Sequence, residues 1–164
     1  MRHKHTNKDN FHTPGYIINA IKNIYGRIDF DMYCTDENAV AEPMLYWNLA
    51  DLRDAIIFAN PPWASSAITE EVPKVHADLH ESNTVIWLLP NKLCQVGWHY
   101  YVLPYMDDIV LLSGRIDFNG PYKTKRGSSR YGALLCEMSK NTQHHMMPKF
   151  HSWTLKALKE MKEC

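Results

Sequence analysis

The sequence predicts a compact three-layer α/β domain built on a mostly parallel sheet, with an antiparallel hairpin at its edge. Three observations carry this prediction. Apolar runs of strand length recur at residues 56–59, 84–89 and 108–112, and runs with so little polar alternation are what strands buried on both faces require. Segments at helical spacing or rich in bulky residues lie between them, giving the strand–helix alternation of a parallel sheet covered on both sides. The first run stops at Pro61-Pro62 and the second at Pro90. Proline has no N–H for the ladder, so each strand ends there and presents its carboxyl end, where open sheets of this class bind ligands.

Length and composition suit one such domain. The chain has 164 residues, 45% apolar and 22% charged, which is ordinary for a globular protein. Residues 1–10 are polar and basic and read as a flexible tail, with residues 11–164 as the single domain. Eighteen basic and eighteen acidic residues cancel, so any contact with nucleic acid must come from local patches. No apolar run approaches the roughly 20 residues that span a bilayer, and Met1-Arg2-His3-Lys4-His5 lacks the apolar centre of a signal peptide. Cys34, Cys94, Cys136 and Cys164 are scattered, which points to reduced thiols and a cytoplasmic setting. The histidines, including His3, His5 and His12, fall in no metal-ligand pattern, and no metal is expected.

Taken in order, Thr13 can cap a helix and Pro14 suits its first position. Ile17, Ile18, Ile21 and Ile24 supply the apolar face, and Gly26 ends it. Residues 27–34 alternate as a strand, with Ile28, Phe30 and Met32 opposite Asp29, Asp31 and Tyr33. Asp31 is the better candidate for a carboxylate facing a ligand, and Asp29 for one in solvent. Residues 35–40 read as a capped short helix that Pro43 ends. Tyr46 and Trp47 suit core packing or stacking on a ligand. Residues 68–79 are expected to be helical, with a kink or late start at Pro73. Lys92, just past the second strand, is positioned for a phosphate or for solvent. Residues 94–103 form a helix packed on the sheet, with His99 structural. After the third strand the chain turns at Ser113-Gly114-Arg115, alternates through Ile116-Asp117-Phe118, and enters its most basic stretch. That loop holds Tyr122, Lys123, Lys125, Arg126 and Arg130, a fair grip for a nucleic-acid backbone or an ordinary solvated loop. Residues 131–136 return as a strand, and residues 153–161 form a terminal helix.

Asn60-Pro61-Pro62-Trp63 is the most specific feature. The Asn60 side-chain oxygen can accept a hydrogen bond from an exocyclic amine. The Pro61 carbonyl can accept a second. The prolines hold the backbone extended, and Trp63 offers a face for stacking. An aromatic amine is a poor nucleophile because its lone pair is delocalised into the ring. Two acceptors on its protons draw the nitrogen toward tetrahedral geometry and localise the pair. The plain alternative is a strand-ending turn with a buried tryptophan.

The tetrapeptide resembles the catalytic motif of amino-group methyltransferases that use S-adenosylmethionine, above all the DNA N6-adenine class. His12-Thr13-Pro14, Asp29-Phe30-Asp31, Thr35-Asp36-Glu37-Asn38-Ala39, Asn60-Pro61-Pro62-Trp63, Leu89-Pro90 and Gly114-Arg115-Ile116-Asp117-Phe118 stand in the order seen in the short phage-type (Dam-like) members. The resemblance implies a Rossmann-like methyltransferase fold, catalysis by Asn60, Pro61, Pro62 and Trp63, and S-adenosylmethionine held by Thr13, Pro14, Asp31 and Asp51. It implies methylation of adenine N6 in duplex or single-stranded DNA, in a bacterial host cell if the chain is phage-encoded. Lys92, Arg115, Tyr122, Lys123, Lys125, Arg126 and Arg130 are the expected DNA contacts. The glycine-rich loop of most methyltransferases is absent. Two other readings stay open: a methyltransferase for a glutamine amide or an RNA base amine, and a non-catalytic DNA-binding protein on a degenerate methyltransferase fold.

Overall fold

The computed structural model describes residues 12–44, 49–118, 131–141 and 147–160. Its strands are β1 (Phe30–Asp31), β2 (Glu42–Pro43), β3 (Ile56–Ala59), β4 (Thr84–Pro90), β5 (Asp108–Ser113), β6 (Ala133–Ser139) and β7 (Lys149–Thr154). Its helices are α1 (Gly15–Tyr25), α2 (Ser65–Asp78), α3 (Val96–Tyr101), a 3-10 turn at Leu103–Tyr105, and α4 (Leu155–Glu160). The strands make one sheet in the order β2-β1-β3-β4-β6-β5-β7. Only β6 runs against the others, pairing antiparallel with β4 on one side and β5 on the other. The remaining pairs are parallel. The expected α/β class and mostly parallel sheet are present, and β5 and β6 form the hairpin. It lies one strand inside the edge, because β7 pairs outside β5.

The central strands separate two cores by simple alternation. Ile57, Ala59, Val85, Trp87 and Leu89 face α2 and α3, meeting Ile68, Val72, Val75 and Trp98. Phe58, Ile86 and Leu88 face the other way, against Ile17, Ile18 and Ile21 of α1 and Leu158 of α4. Successive residues of a strand point to opposite faces, so an uninterrupted apolar run fills both layers.

Several local expectations differ from what forms. The strand expected over 27–34 shrinks to β1, because the Asp29 side chain accepts from Ile56 N at 2.8 Å and that of Asp31 from Tyr33 N at 3.4 Å. Residues 35–38 make a single turn rather than a helix, with Thr35 N donating to Asn38 Oδ1 at 2.6 Å. Pro43 ends no helix; it lies in β2. Helix α2 runs through Pro73 without a break, forgoing only the bond its N–H would have made to the preceding turn. The terminal helix begins at Leu155, since the residues before it pair as β7. Tyr46 and Trp47 lie outside the described residues.

Asn83 braces the amino-terminal end of the sheet. It is 1% exposed. Its Oδ1 accepts from Ala55 N at 3.1 Å, and its Nδ2 donates to the carbonyls of Leu49 and Leu52 at 3.2 and 3.1 Å. One amide thereby fixes the approach to β3 and leaves the opposite end of the sheet for chemistry.

Candidate functional site

The parallel strands β1, β3, β4 and β5 share a direction, so their carboxyl ends meet along one edge. Asn60 follows the last residue of β3 there, with Pro61 buried behind it. Its Nδ2 donates to Thr13 Oγ1 at 3.1 Å. Among the described residues no donor reaches its Oδ1. Thr13 and Pro14 are brought to this point because α1 packs its buried face on Phe58 and Leu88. The helix itself starts one residue later than expected. Pro14 takes the cap position, and the Thr13 hydroxyl makes no capping bond.

Trp63 is half-buried. Its Nε1 donates to the Leu88 carbonyl at 3.3 Å, and its ring meets Phe118 edge-to-face at 5.2 Å between centroids, with planes at 87°. Such a geometry sets the positive edge of one ring on the negative face of the other. Trp63 is thus supported by a second aromatic from the segment that follows β5. Lys92, positioned by the sequence for phosphate or solvent, is 6% exposed. Its Nζ donates to the Trp63 carbonyl at 3.2 Å and stands 5.1 Å from the centroid of Tyr131. Loss of hydration holds its ammonium below the usual lysine range.

Asp31 closes β1 beside Phe58, two positions before Asn60. It is 3% exposed. Its Oδ1 accepts from Tyr33 N at 3.4 Å and its Oδ2 from Val40 N at 3.2 Å. Burial pushes its pKa up to about 6, against the pull of those two N–H groups. Among the described residues no cation pairs with it.

Asp51 is not brought to this edge. It is exposed in the connection whose carbonyls Asn83 holds, beside the amino-terminal ends of β3 and β4. Its segment leads into the start of β3, whereas Asn60 follows the end of that strand, so nearness in sequence does not bring the two together. Arg115 is exposed at the carboxyl end of β5, after Gly114 with its φ of 93°. Tyr122, Lys123, Lys125, Arg126 and Arg130 lie outside the described residues. The residues on either side of that basic stretch do reach the site: Phe118 meets Trp63, and Tyr131 lies beneath the Lys92 ammonium. His99 is exposed, with Nε2 2.8 Å from the Leu93 carbonyl.

A family model for DNA N-6-adenine-methyltransferase (Dam) matches residues 2–163. The chain belongs to the Dam family. No curated protein matches it. The edge just described brings Thr13, Asp31 and the Asn60–Trp63 segment together from three parts of the chain. Sequence reasoning missed the pairing of Phe118 with Trp63 and the burial of Lys92. The only trace of either was an aromatic at the end of an alternating triplet and a lysine just past a strand-ending proline. No helix among the described residues is long and apolar enough to cross a membrane, and they hold no cluster of three potential metal ligands.

Proposed function

We propose that the chain transfers a methyl group from S-adenosylmethionine to the N6 amine of adenine in DNA, as one catalytic domain. The observation that carries this reading is the Asn60 amide: its nitrogen end is occupied by Thr13, and among the described residues no donor takes its oxygen end. That is the end an amine needs. Asn60 Oδ1 and the Pro61 carbonyl accept the amine protons and localise the nitrogen lone pair. Trp63, supported by Phe118, carries the base. A base within a duplex cannot reach this edge and must be flipped out, at a few kcal/mol, against which stacking returns about 1–3 kcal/mol.

The residues present fit the cofactor. Asp31 is a buried carboxylate with no protein cation among the described residues, and a ligand ammonium is the partner it lacks. Thr13 and Pro14 stand beside Asn60, so a cofactor held there lies next to the amine. When bound, S-adenosylmethionine supplies the methyl group on an electron-poor sulfur. The chain supplies alignment, which for two well-oriented reactants contributes about 7–11 kcal/mol. Arg115 and the basic residues of 119–130 would meet the DNA backbone, which a net charge of zero requires to be a local contact.

Incubating the protein with labelled S-adenosylmethionine and unmethylated DNA, then separating the nucleosides, tests the reading. Label in N6-methyladenine is the expected result. Label in RNA or protein, or none at all, overturns it.

A further inference from the structure

Thr13-Pro14-Gly15 has the composition of a helix start, yet the Thr13 hydroxyl is not used there. It contacts the Asn60 side chain, 47 residues away in sequence, at 3.1 Å. A side-chain amide has a donating end and an accepting end. Its last torsion is broad and roughly two-fold, so an unrestrained Asn60 would present either end to a base. Only the oxygen end accepts from an amine. Buried Pro14, with φ at −59°, joins Thr13 stiffly to α1. The buried isoleucines of α1 pack that helix against Phe58 of β3, the strand that ends at Asn60, and Leu88 of the neighbouring β4.

We propose that Thr13 is a positioning residue for Asn60. By taking a hydrogen bond from Nδ2, its hydroxyl restrains the amide in the position seen here, with Oδ1 left to face the target amine. This rests on the function proposed above and adds a role to Thr13 distinct from lining a cofactor pocket. Thr13 then acts on which base is held, not only on how tightly the methyl donor binds.

The test uses the full chain and a duplex carrying the site mapped by the methylation experiment. The target position holds either adenine or purine, which lacks the exocyclic amine. Binding is measured by fluorescence anisotropy with saturating S-adenosylhomocysteine, and methyl transfer to the adenine duplex by single turnover at saturating S-adenosylmethionine. The wild-type adenine-to-purine affinity ratio is the reference preference, in which the easier flipping of purine is common to every variant. Thr13→Val should cut that preference by about twofold to tenfold, the span of one neutral hydrogen bond, and slow the single turnover by at least as much. Thr13→Ala, smaller at the same half-buried position, is run beside it. Thr13→Ser should restore both quantities. In an Asn60→Ala background, Thr13→Val should change the preference no further, because the two residues act as one unit. A folded Thr13→Val or Thr13→Ala protein with the wild-type preference and rate overturns the proposal. Wild type that methylates no DNA overturns the proposed function first, before any variant is compared.

Discussion

Replacing Asp31 by asparagine should make the protein more stable at neutral pH. The carboxyl is 3% exposed, and burial raises its pKa from an ordinary 3.8 to about 6. A group whose folded pKa lies above its unfolded one binds its proton more tightly in the native state between those values. Its contribution is therefore fully present below the unfolded pKa and is lost as pH rises through the folded one. A shift of about two units corresponds to about 3 kcal/mol. Above about pH 7 the native protein thus carries a buried charge costing about 3 kcal/mol, with no cation among the described residues to offset it. Asparagine removes that charge but brings one acceptor oxygen where the carboxylate uses two, so one backbone bond worth about 1 kcal/mol is lost. The expected net gain is about 2 kcal/mol near pH 7.5, falling to zero or a small loss near pH 3.5. Urea unfolding followed by tryptophan fluorescence, at matched pH values for both proteins, measures it; the five tryptophans give ample signal. A stability difference between Asp31→Asn and wild type that stays flat across this range would refute the assignment of a buried, unpaired carboxylate. The variant should at the same time bind S-adenosylmethionine more weakly, because the charge that destabilises the empty fold is the one a cofactor ammonium would meet.

Other outcomes follow from the same geometry. Wild-type affinity for S-adenosylmethionine, read by calorimetry, should fall as pH drops below about 6 and Asp31 takes up its proton. Asn60→Ala should slow single-turnover methylation by about a hundredfold or more, by analogy with loss of one aligned group at a reacting centre, while leaving cofactor affinity near wild type. Trp63→Ala should weaken DNA binding by about 1–3 kcal/mol and spare cofactor affinity; equal loss of both would remove Trp63 from the base. Lys92→Met should leave the salt dependence of DNA binding unchanged, because its ammonium is directed to the Trp63 carbonyl and the Tyr131 ring. A phosphate contact would instead lower the slope of log K against log salt by about 0.9. Asn83→Leu orphans the Ala55 N–H and the Leu49 and Leu52 carbonyls, and at about 1–3 kcal/mol for a buried unsatisfied group it should cost several kcal/mol in chemical unfolding.

What the sequence disclosed was whatever depends on local pattern. Apolar runs closed by proline marked β3 and β4 and the edge where they end, because burial on both faces and a missing N–H act on the strand itself. β1 was legible but read too long and β2 left no trace, since their limits are set by side chains such as Asp29 and Asp31 that bond across to other segments. β7 was hidden because its residues are mostly exposed and carry no apolar alternation. Thr13 shows the limit most plainly. Its neighbours make it a cap by every local rule, and only the packing of α1 on Phe58 and Leu88 turns its hydroxyl to Asn60 instead. Asp51 shows the converse: spacing along a chain does not say which end of a sheet a connection has crossed.

The missing glycine-rich loop also has a physical counterpart. Where glycines would let the backbone turn after β1, here the Asp31 carboxylate gathers the N–H groups of Tyr33 and Val40, and the Asp31 carbonyl accepts from Met44 N at 2.9 Å. The turn is held by a side chain rather than relaxed by the lack of one.

Phe118 and Tyr131, the residues that flank the basic stretch 119–130 in sequence, both reach the candidate site, one at Trp63 and the other at Lys92. A segment spliced at two such points is an exchangeable cassette. Its sequence can vary while both seams stay where the fold puts them. Chimaeras that swap residues 119–130 between relatives should therefore trade their DNA sequence preferences and keep a common rate of methyl transfer.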